Sequence, residues 1–311
     1  MNALKTIQLG ILIPITAYLS FSEMSSKPET LQTKSQNPKS AIISDNAKPQ
    51  LISSQFKFTE GPASDKKGNI FFTDQPNNHI WKYSTSGELS LFLEDSGRSN
   101  GMYFDKNGNL LTAADEKNEL WSISPDKKIT VLLGNYEGKR FNGPNDLWID
   151  SKGGIYFTDP YYQRPYWERK KMELDGQHVY YLPKGSAKPV VVDNNLVKPN
   201  GIVGSANGRI LYVADIAAKK TYKYDINPDG SLSNRQLFVD MGSDGMTLDN
   251  KGNLYLSGNG VTVFNSQGEK IEHISVPGWT ANVCFGGKNK NILFLTSNTS
   301  VYTLKMKVKG I

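Results

Sequence analysis

The sequence predicts an all-β fold, a six-bladed β-propeller with four-stranded blades around a central channel, and three observations carry that reading. First, one phrase recurs: Asn100-Gly101-Met102, Asn145-Asp146-Leu147, Asn200-Gly201-Ile202 and Asp244-Gly245-Met246 each open a run of alternating apolar residues. Second, the likeness extends beyond the triplet. Asn100 to Leu111 matches Asn145 to Tyr156 and Asp244 to Tyr255, each with an Asp five residues in and a Gly three further on. With weaker copies beginning at Glu60, Asn200 and Asn282, the six copies fall roughly 40 to 55 residues apart, which is the mark of a repeat architecture. Third, in each copy two short runs of period two flank a Gly-containing turn and two further strand-like runs follow, as at Ile80–Tyr83 and Leu89–Leu93. Four strands per repeat make a propeller blade.

Asn-Gly alone is the usual signal of a tight hairpin turn. Here the clear copies carry a separate turn about eight residues later, so the phrase stands at the head of a strand. The repeats fill 58 to 305 without a linker, which argues for one domain in a chain of 311 residues.

Taken in order, residues 1–22 hold one charge, Lys5, then the mostly apolar run Ile7 to Phe21. That run is too short and broken to span a bilayer, which takes about 20 apolar residues. With Ser20 and Ser22 as small residues it reads as a secretory signal, so the expected location is periplasmic or secreted, with no stable membrane insertion after cleavage. Residues 23–47, rich in Ser, Lys, Pro, Asn and Gln, read as a flexible polar tether, and 48–311 as the propeller. Leu51 to Phe58 is expected to supply the outer strand of blade six beside Val301 to Met306, closing the ring and removing two sheet edges. The single cysteine, Cys284, lies in an apolar strand phrase and reads as buried packing.

The formal charge of +6 falls to +5 without residues 1–22. The excess is scattered lysine, and the one short basic run, Arg169-Lys170-Lys171, is flanked by Glu168 and Glu173. This is a solvated surface and no nucleic-acid site.

A propeller gathers the heads of its inner strands around the axis at one end, so residues far apart in sequence become neighbours. Those positions are Glu60, Asn100, Asn145, Asn200, Asp244 and Asn282. Carboxylate and amide oxygens suit a hard divalent cation. Two acids near one axis would repel unless a cation or proton lay between them. Ca²⁺ is the expected ion, with Mg²⁺, Mn²⁺ and Zn²⁺ as the other candidates. The three histidines, His79, His178 and His273, lack ligand spacing and read as surface or loop residues. Alternatively, the ring residues only bond their own backbone in strand-head turns.

Glu60-Gly61-Pro62, Arg140 to Asp146 (Arg-Phe-Asn-Gly-Pro-Asn-Asp), Tyr156 to Pro160, Pro199-Asn200-Gly201, Ser243 to Met246 and Phe285 to Gly287 together resemble the senescence marker protein/gluconolactonase/luciferin-regenerating enzyme family, nearest its bacterial gluconolactonases. The resemblance spans 55 to 305. It implies a divalent cation on Glu60, Asn145, Asn200 and Asp244, leaving Asn100 and Asn282 as supporting residues. It also implies a metal-dependent lactonase that opens a gluconolactone-like ring to the aldonic acid, with the metal as Lewis acid and Asp244 as general base. No Gly-x-Ser-x-Gly elbow offers a covalent serine route.

The long segment between Asp159 and His178, with Tyr161, Tyr162, Arg164, Tyr166 and Trp167, reads as a substrate lid or an ordinary surface loop. Tyr161, Tyr162, Arg140 and Asn142 are the candidate contacts to substrate. The alternatives are a broader lactonase or phosphotriesterase of the same superfamily, and a noncatalytic ligand-binding propeller.

Overall fold

The structure, a computed structural model, describes residues 39–311. The signal segment 1–22, and the tether as far as residue 38, lie outside the described residues. Residues 40–47, also assigned to the tether, are packed into the domain. Ile42 is 3% exposed, the Lys307 N–H donates to its carbonyl at 2.7 Å, and Ile43 forms an antiparallel bridge with Met306. The Ser- and Lys-rich composition of the window hides this apolar pair.

Among the described residues the only helix is a 3-10 turn at Gln75–Asn77. Four sheets have four strands each, in the order of the chain. They are Thr59–Ser64, Ile70–Asp74, His79–Tyr83 and Leu89–Leu93; then Ser99–Phe104, Leu110–Ala114, Glu119–Ile123 and Ile129–Leu133. Blade three is Leu147–Ile149, Ile155–Asp159, His178–Leu182 and Val190–Asp193, and blade four is Pro199–Gly204, Ile210–Asp215, Lys220–Ile226 and Leu232–Val239.

The rest form one six-stranded sheet, running from Met246–Leu248 through Leu254–Phe264, Lys270–Gly286, Ile292–Ser297 and Ser300–Lys305 to Gln50–Ser53. Its two long strands change partner midway. Leu254–Leu256 pairs with Met246–Leu248 but Asn259–Phe264 pairs with the following strand, and Thr280–Gly286 pairs with Ile292–Ser297. Cut at Gly258–Gly260 and Pro277–Gly278, they give eight segments, consistent with two four-stranded blades and six in all. The N-terminal strand does pair with Ser300–Lys305, in the register Leu51↔Tyr302, over Gln50–Ser53 rather than as far as Phe58.

Neighbouring blades bond one another around the channel. Gly101 N–H donates to Asn145 O at 2.7 Å, Thr158 Oγ1 to Asn200 O at 2.8 Å, and Gly245 N–H to Ala281 O at 2.8 Å. Gly287 N–H closes blade six onto Gly68 O of blade one at 2.9 Å. This packing explains the glycine of the repeated phrase better than a hairpin turn does. A Cβ on Gly61 would lie 1.9 Å from Asn100 O, and one on Gly245 would lie 1.9 Å from Asn282 Cγ. A side chain at Gly61 would run into the backbone of the next blade, and one at Gly245 would displace the Asn282 amide, whereas blade three carries Asp146 at this position. Between blades, apolar faces interlock: Trp148, Tyr156, Leu211 and Leu254 belong to one buried cluster shared by blades three, four and five. Each such side chain contributes about 1.5–3 kcal/mol.

Candidate active site

The heads of the inner strands are bulged. Glu60 pairs with Thr73 and Ala63 with Phe71, and the same extra residue appears between Ser99 and Met102, Pro199 and Ile202, and Thr280 and Asn282. In blade three, Asn145 N–H donates to Thr158 O at 2.9 Å while Thr158 N–H donates to Asp146 O at 3.0 Å, two residues against one. A bulge breaks the alternation of faces and re-aims side chains. Here it frees the Asx and Glu side chains from the pleat at the axis.

Glu60, Asn100, Asn145, Asn200 and Asn282 are all buried at these heads, and Asp244 stands with them. Asn200 is the most informative. Its Nδ2 donates to Asp244 Oδ1 at 2.9 Å and to Tyr162 Oη at 3.0 Å, so its Oδ1 points elsewhere, and that atom is buried without a partner. The Asn145 and Asn100 amides make no side-chain hydrogen bond among the described residues. Glu60 Oε2 accepts its neighbour Gly61 N–H at 2.6 Å. Asp244 Oδ2 accepts the indole N–H of Trp279 at 2.9 Å.

Burial, together with the charges of Asp244 and Asp146, pushes Glu60 well above the usual carboxylate range, against the pull of Gly61 N–H. Burial also raises Asp244, opposed by Trp279, Asn200 and the positive charge of Arg164. These carboxylates therefore sit in surroundings short of positive charge.

Among the described residues no three His, Cys, Asp or Glu side chains form a metal cluster by themselves. Glu60 and Asp244 would need amide oxygens to complete a set, and the orphaned Oδ1 of Asn200 and the unbonded amide of Asn145 are the ones that could complete it. Such an all-oxygen set fits a hard cation.

Sequence reasoning missed three residues here, Asp146, Trp279 and Asp115, and gave Arg164 only as part of the loop. Asp146, 7% exposed and pushed by burial to about 7, sits below Glu60 and Asp244 with the Asn282 amide beside it. A cavity of about 950 Å³, lined by Met102, Leu147, Ile202 and Met246, reaches Asp146 and Asn282 from the turn end of the channel but not Glu60, Asn200 or Asp244. Asp146 and Asn282 thus floor the site. Trp279 covers Asp244 from the rim. Arg164 and Asp115 anchor the loop after Asp159: Arg164 Nε donates to Asp115 Oδ2 at 2.8 Å, and the Tyr166 hydroxyl donates to the same oxygen. Asp146 could have been found as the acid beside Asn145, and Asp115 as the acid at the end of its second strand, where Asp74, Asp159 and Asp215 stand in other repeats; Trp279 carries no local signal.

Two expected substrate contacts are engaged elsewhere. Arg140 bonds Glu173 through Nε at 2.6 Å on the surface, with 57% of its side chain exposed. Asn142 is fully buried, its Nδ2 donating to the carbonyls of Asp159 and Gly176 at 3.1 and 2.8 Å. Loop carbonyls cut off from water need donors, and Asn142 provides them, so it supports the loop and offers no surface to a ligand. Tyr162 does reach the site. Tyr161 lies further out, its N–H bonded to Gln177 and its ring beneath Arg169 at 5.3 Å. His178 is likewise no surface residue: it is 7% exposed in a blade-three strand, with Nε2 3.0 Å from Asp175. Cys284 is free and buried, as expected.

Comparison with known proteins gives one consistent result. The SMP-30/Gluconolactonase/LRE-like region matches residues 58–299. A gluconolactonase of Zymomonas mobilis is 30% identical over 87% of this chain and 84% of its own length. A lactonohydrolase of Aspergillus oryzae is 26% identical over 59% of this chain and 48% of its own length. Among solved structures, a gluconolactonase of Xanthomonas campestris superposes with a TM-score of 0.80 at 27% identity, covering 86% of this chain and 91% of that one.

Proposed function

The chain belongs to the SMP-30/gluconolactonase/LRE-like family, and from that premise we propose that it is a divalent-cation-dependent lactonase that opens a gluconolactone-like sugar lactone to the aldonic acid. The observation that carries the proposal is the Asn200 amide, which ties Asp244 and Tyr162 with its nitrogen and leaves its buried oxygen without a partner.

Glu60, Asn145, Asn200 and Asp244 would hold the ion, which when bound supplies Lewis acidity and offsets two negative charges. Asn200 and Trp279 fix both oxygens of Asp244, and each oxygen keeps a lone pair. Asp244 can then take a proton from a water whose oxygen bonds to the lactone carbonyl carbon. When the ring carbon–oxygen bond breaks, the same carboxyl returns the proton to the departing oxygen. A carboxylate whose proton affinity is raised by burial suits that work. Tyr162, its hydroxyl beside Asn200, limits the space above.

The test is an assay of glucono-δ-lactone, aryl esters and organophosphates with chelated protein and with Ca²⁺, Mg²⁺, Mn²⁺ or Zn²⁺ restored. Lactone hydrolysis should vanish on chelation and return with metal. Full activity in protein shown to be metal-free would overturn the ion's role, and turnover of phosphotriesters alone would replace the substrate class.

A further inference from the structure

The rim of the site carries more positive charge than hydrolysis of a neutral sugar lactone uses. The ring of Tyr162 has two cations against it, Lys198 Nζ at 4.4 Å and Arg164 Cζ at 5.5 Å from its centroid. Arg164 is gripped from behind through Nε by Asp115, which is 2% exposed and which Tyr166 also bonds. The two terminal nitrogens of Arg164 make no hydrogen bond among the described residues, and 22% of the side chain is exposed. Its guanidinium is therefore pre-oriented, with one edge used and the fork free. Lys198 has its backbone N–H fixed by Asp215 Oδ1 at 3.0 Å, while its ammonium has no carboxylate partner and no hydrogen bond among the described residues. Asp115 balances Arg164, so Lys198 carries the uncompensated charge.

Both cations stand one tyrosine ring away from the Asn200–Asp244 pair, a separation that a sugar chain can bridge. A rigid guanidinium fork and a mobile ammonium side by side form the donor set that recognises carboxylate or phosphate oxygens. We propose that Arg164 and Lys198 read an anionic substituent remote from the reacting carbonyl, so that the preferred substrate is an acidic sugar lactone rather than a neutral one. This inference rests on the lactonase reading.

The test compares kcat/KM for glucono-δ-lactone, its 6-phosphate and a lactone carrying a terminal carboxylate, all with metal-loaded protein. The charged lactones should be preferred about tenfold at low ionic strength, and the preference should shrink as salt rises from about 0.01 to about 0.5 M. The phosphate and carboxylate arms decide which anion is read. Lys198→Met should cut the charged-to-neutral ratio about tenfold. Arg164→Lys keeps a partner for Asp115 and should cut it less, which guards against a loop that fails to fold. A second readout is intrinsic tryptophan fluorescence titrated with gluconate 6-phosphate and with gluconate, where the phosphorylated acid should bind about tenfold more tightly in wild type and no more tightly in Lys198→Met. Equal ratios in wild type and Lys198→Met, with neutral lactone still hydrolysed, would overturn this inference and leave the lactonase reading intact. Were no lactone hydrolysed, the lactonase reading would fall and the fluorescence titration would still decide the anion site.

Discussion

The two ends of the channel use the same residue chemistry to opposite effect. At the turn end, the Asp of each clear repeat is saturated. Asp105 Oδ1 accepts the N–H groups of Asn107 and Asn109, both at 2.8 Å, and Asp249 adds to the equivalent pair the Asn253 amide at 2.7 Å and the Tyr255 hydroxyl at 3.0 Å. Asp65 and Asp150 repeat the pattern. At the strand heads, Asn145 makes no side-chain bond among the described residues and Asn200 leaves a buried oxygen empty. Repetition with every oxygen satisfied builds turns, whereas repetition with oxygens left over marks a place for something else. Unpaired buried polar atoms cost roughly 1–3 kcal/mol each, so they persist where a ligand or a function repays the cost.

The sharpest way to break this comparison is Asp244→Asn, which keeps shape and one oxygen ligand but removes the base. Turnover should fall about 10²- to 10⁴-fold. Metal content must be measured in the same sample, because the lost charge weakens ion binding too. A folded, metal-loaded variant with near wild-type turnover would reduce Asp244 to a ligand. The opposite end should answer in stability instead. Asp249→Ala orphans buried donors and should cost about 3 kcal/mol by urea unfolding while lactone kcat/KM stays within about twofold. A large catalytic loss there would mean that the two ends are not separable.

The four-stranded sheets were legible in the repeat. Its six copies are consistent with the strand count, and copies one and five carry Glu60 and Asp244, which stand together at the strand heads. Asp146 escaped because strand alternation assigns neighbours to opposite faces, and the bulge at Asn145–Asp146 suspends that rule. Trp279 escaped, and Arg164 was read only as part of a loop, because loops have no periodicity to read; their roles arise only when chain segments tens of residues apart meet. Arg140 and Asn142 are engaged elsewhere for a related reason. Nearness in sequence to Asn145 does not set direction, and one turns out to Glu173 while the other turns in to bond the loop.

Asp159 tests whether an acid at the strand-head end can be purely structural. It is fully buried, its oxygens accept Asn142 and Gly143 N–H at 2.8 Å, and burial pushes it up to about 7. Its folded value lies above the unfolded one near 3.9, so the folded state holds the proton longer. The stability this gives is full below about pH 4 and is lost as pH rises to about 7. Between pH 5 and 7 this one group should lower unfolding free energy by about 2 kcal/mol. Asp159→Asn should flatten the slope in urea midpoints over that range, leaving the similar contribution of Asp146. An unchanged slope would place the titration elsewhere.

The smallest effect belongs to Arg140, and it decides between sequence proximity and geometry. An exposed ion pair contributes about 0–1 kcal/mol because water and salt screen it and two long side chains must be held still. Arg140 and Glu173 are 57% and 32% exposed, so Arg140→Ala should shift stability by less than about 1 kcal/mol. If the side chain faces away from the substrate as found, kcat/KM for the lactone should change less than about twofold. A tenfold rise in KM alone would mean that Arg140 leaves Glu173 and swings over bound substrate, making the loop it anchors a moving part rather than a fixed wall. A fall in kcat with KM unchanged would point instead to disturbed support of Asn142 and Asp159 behind the site.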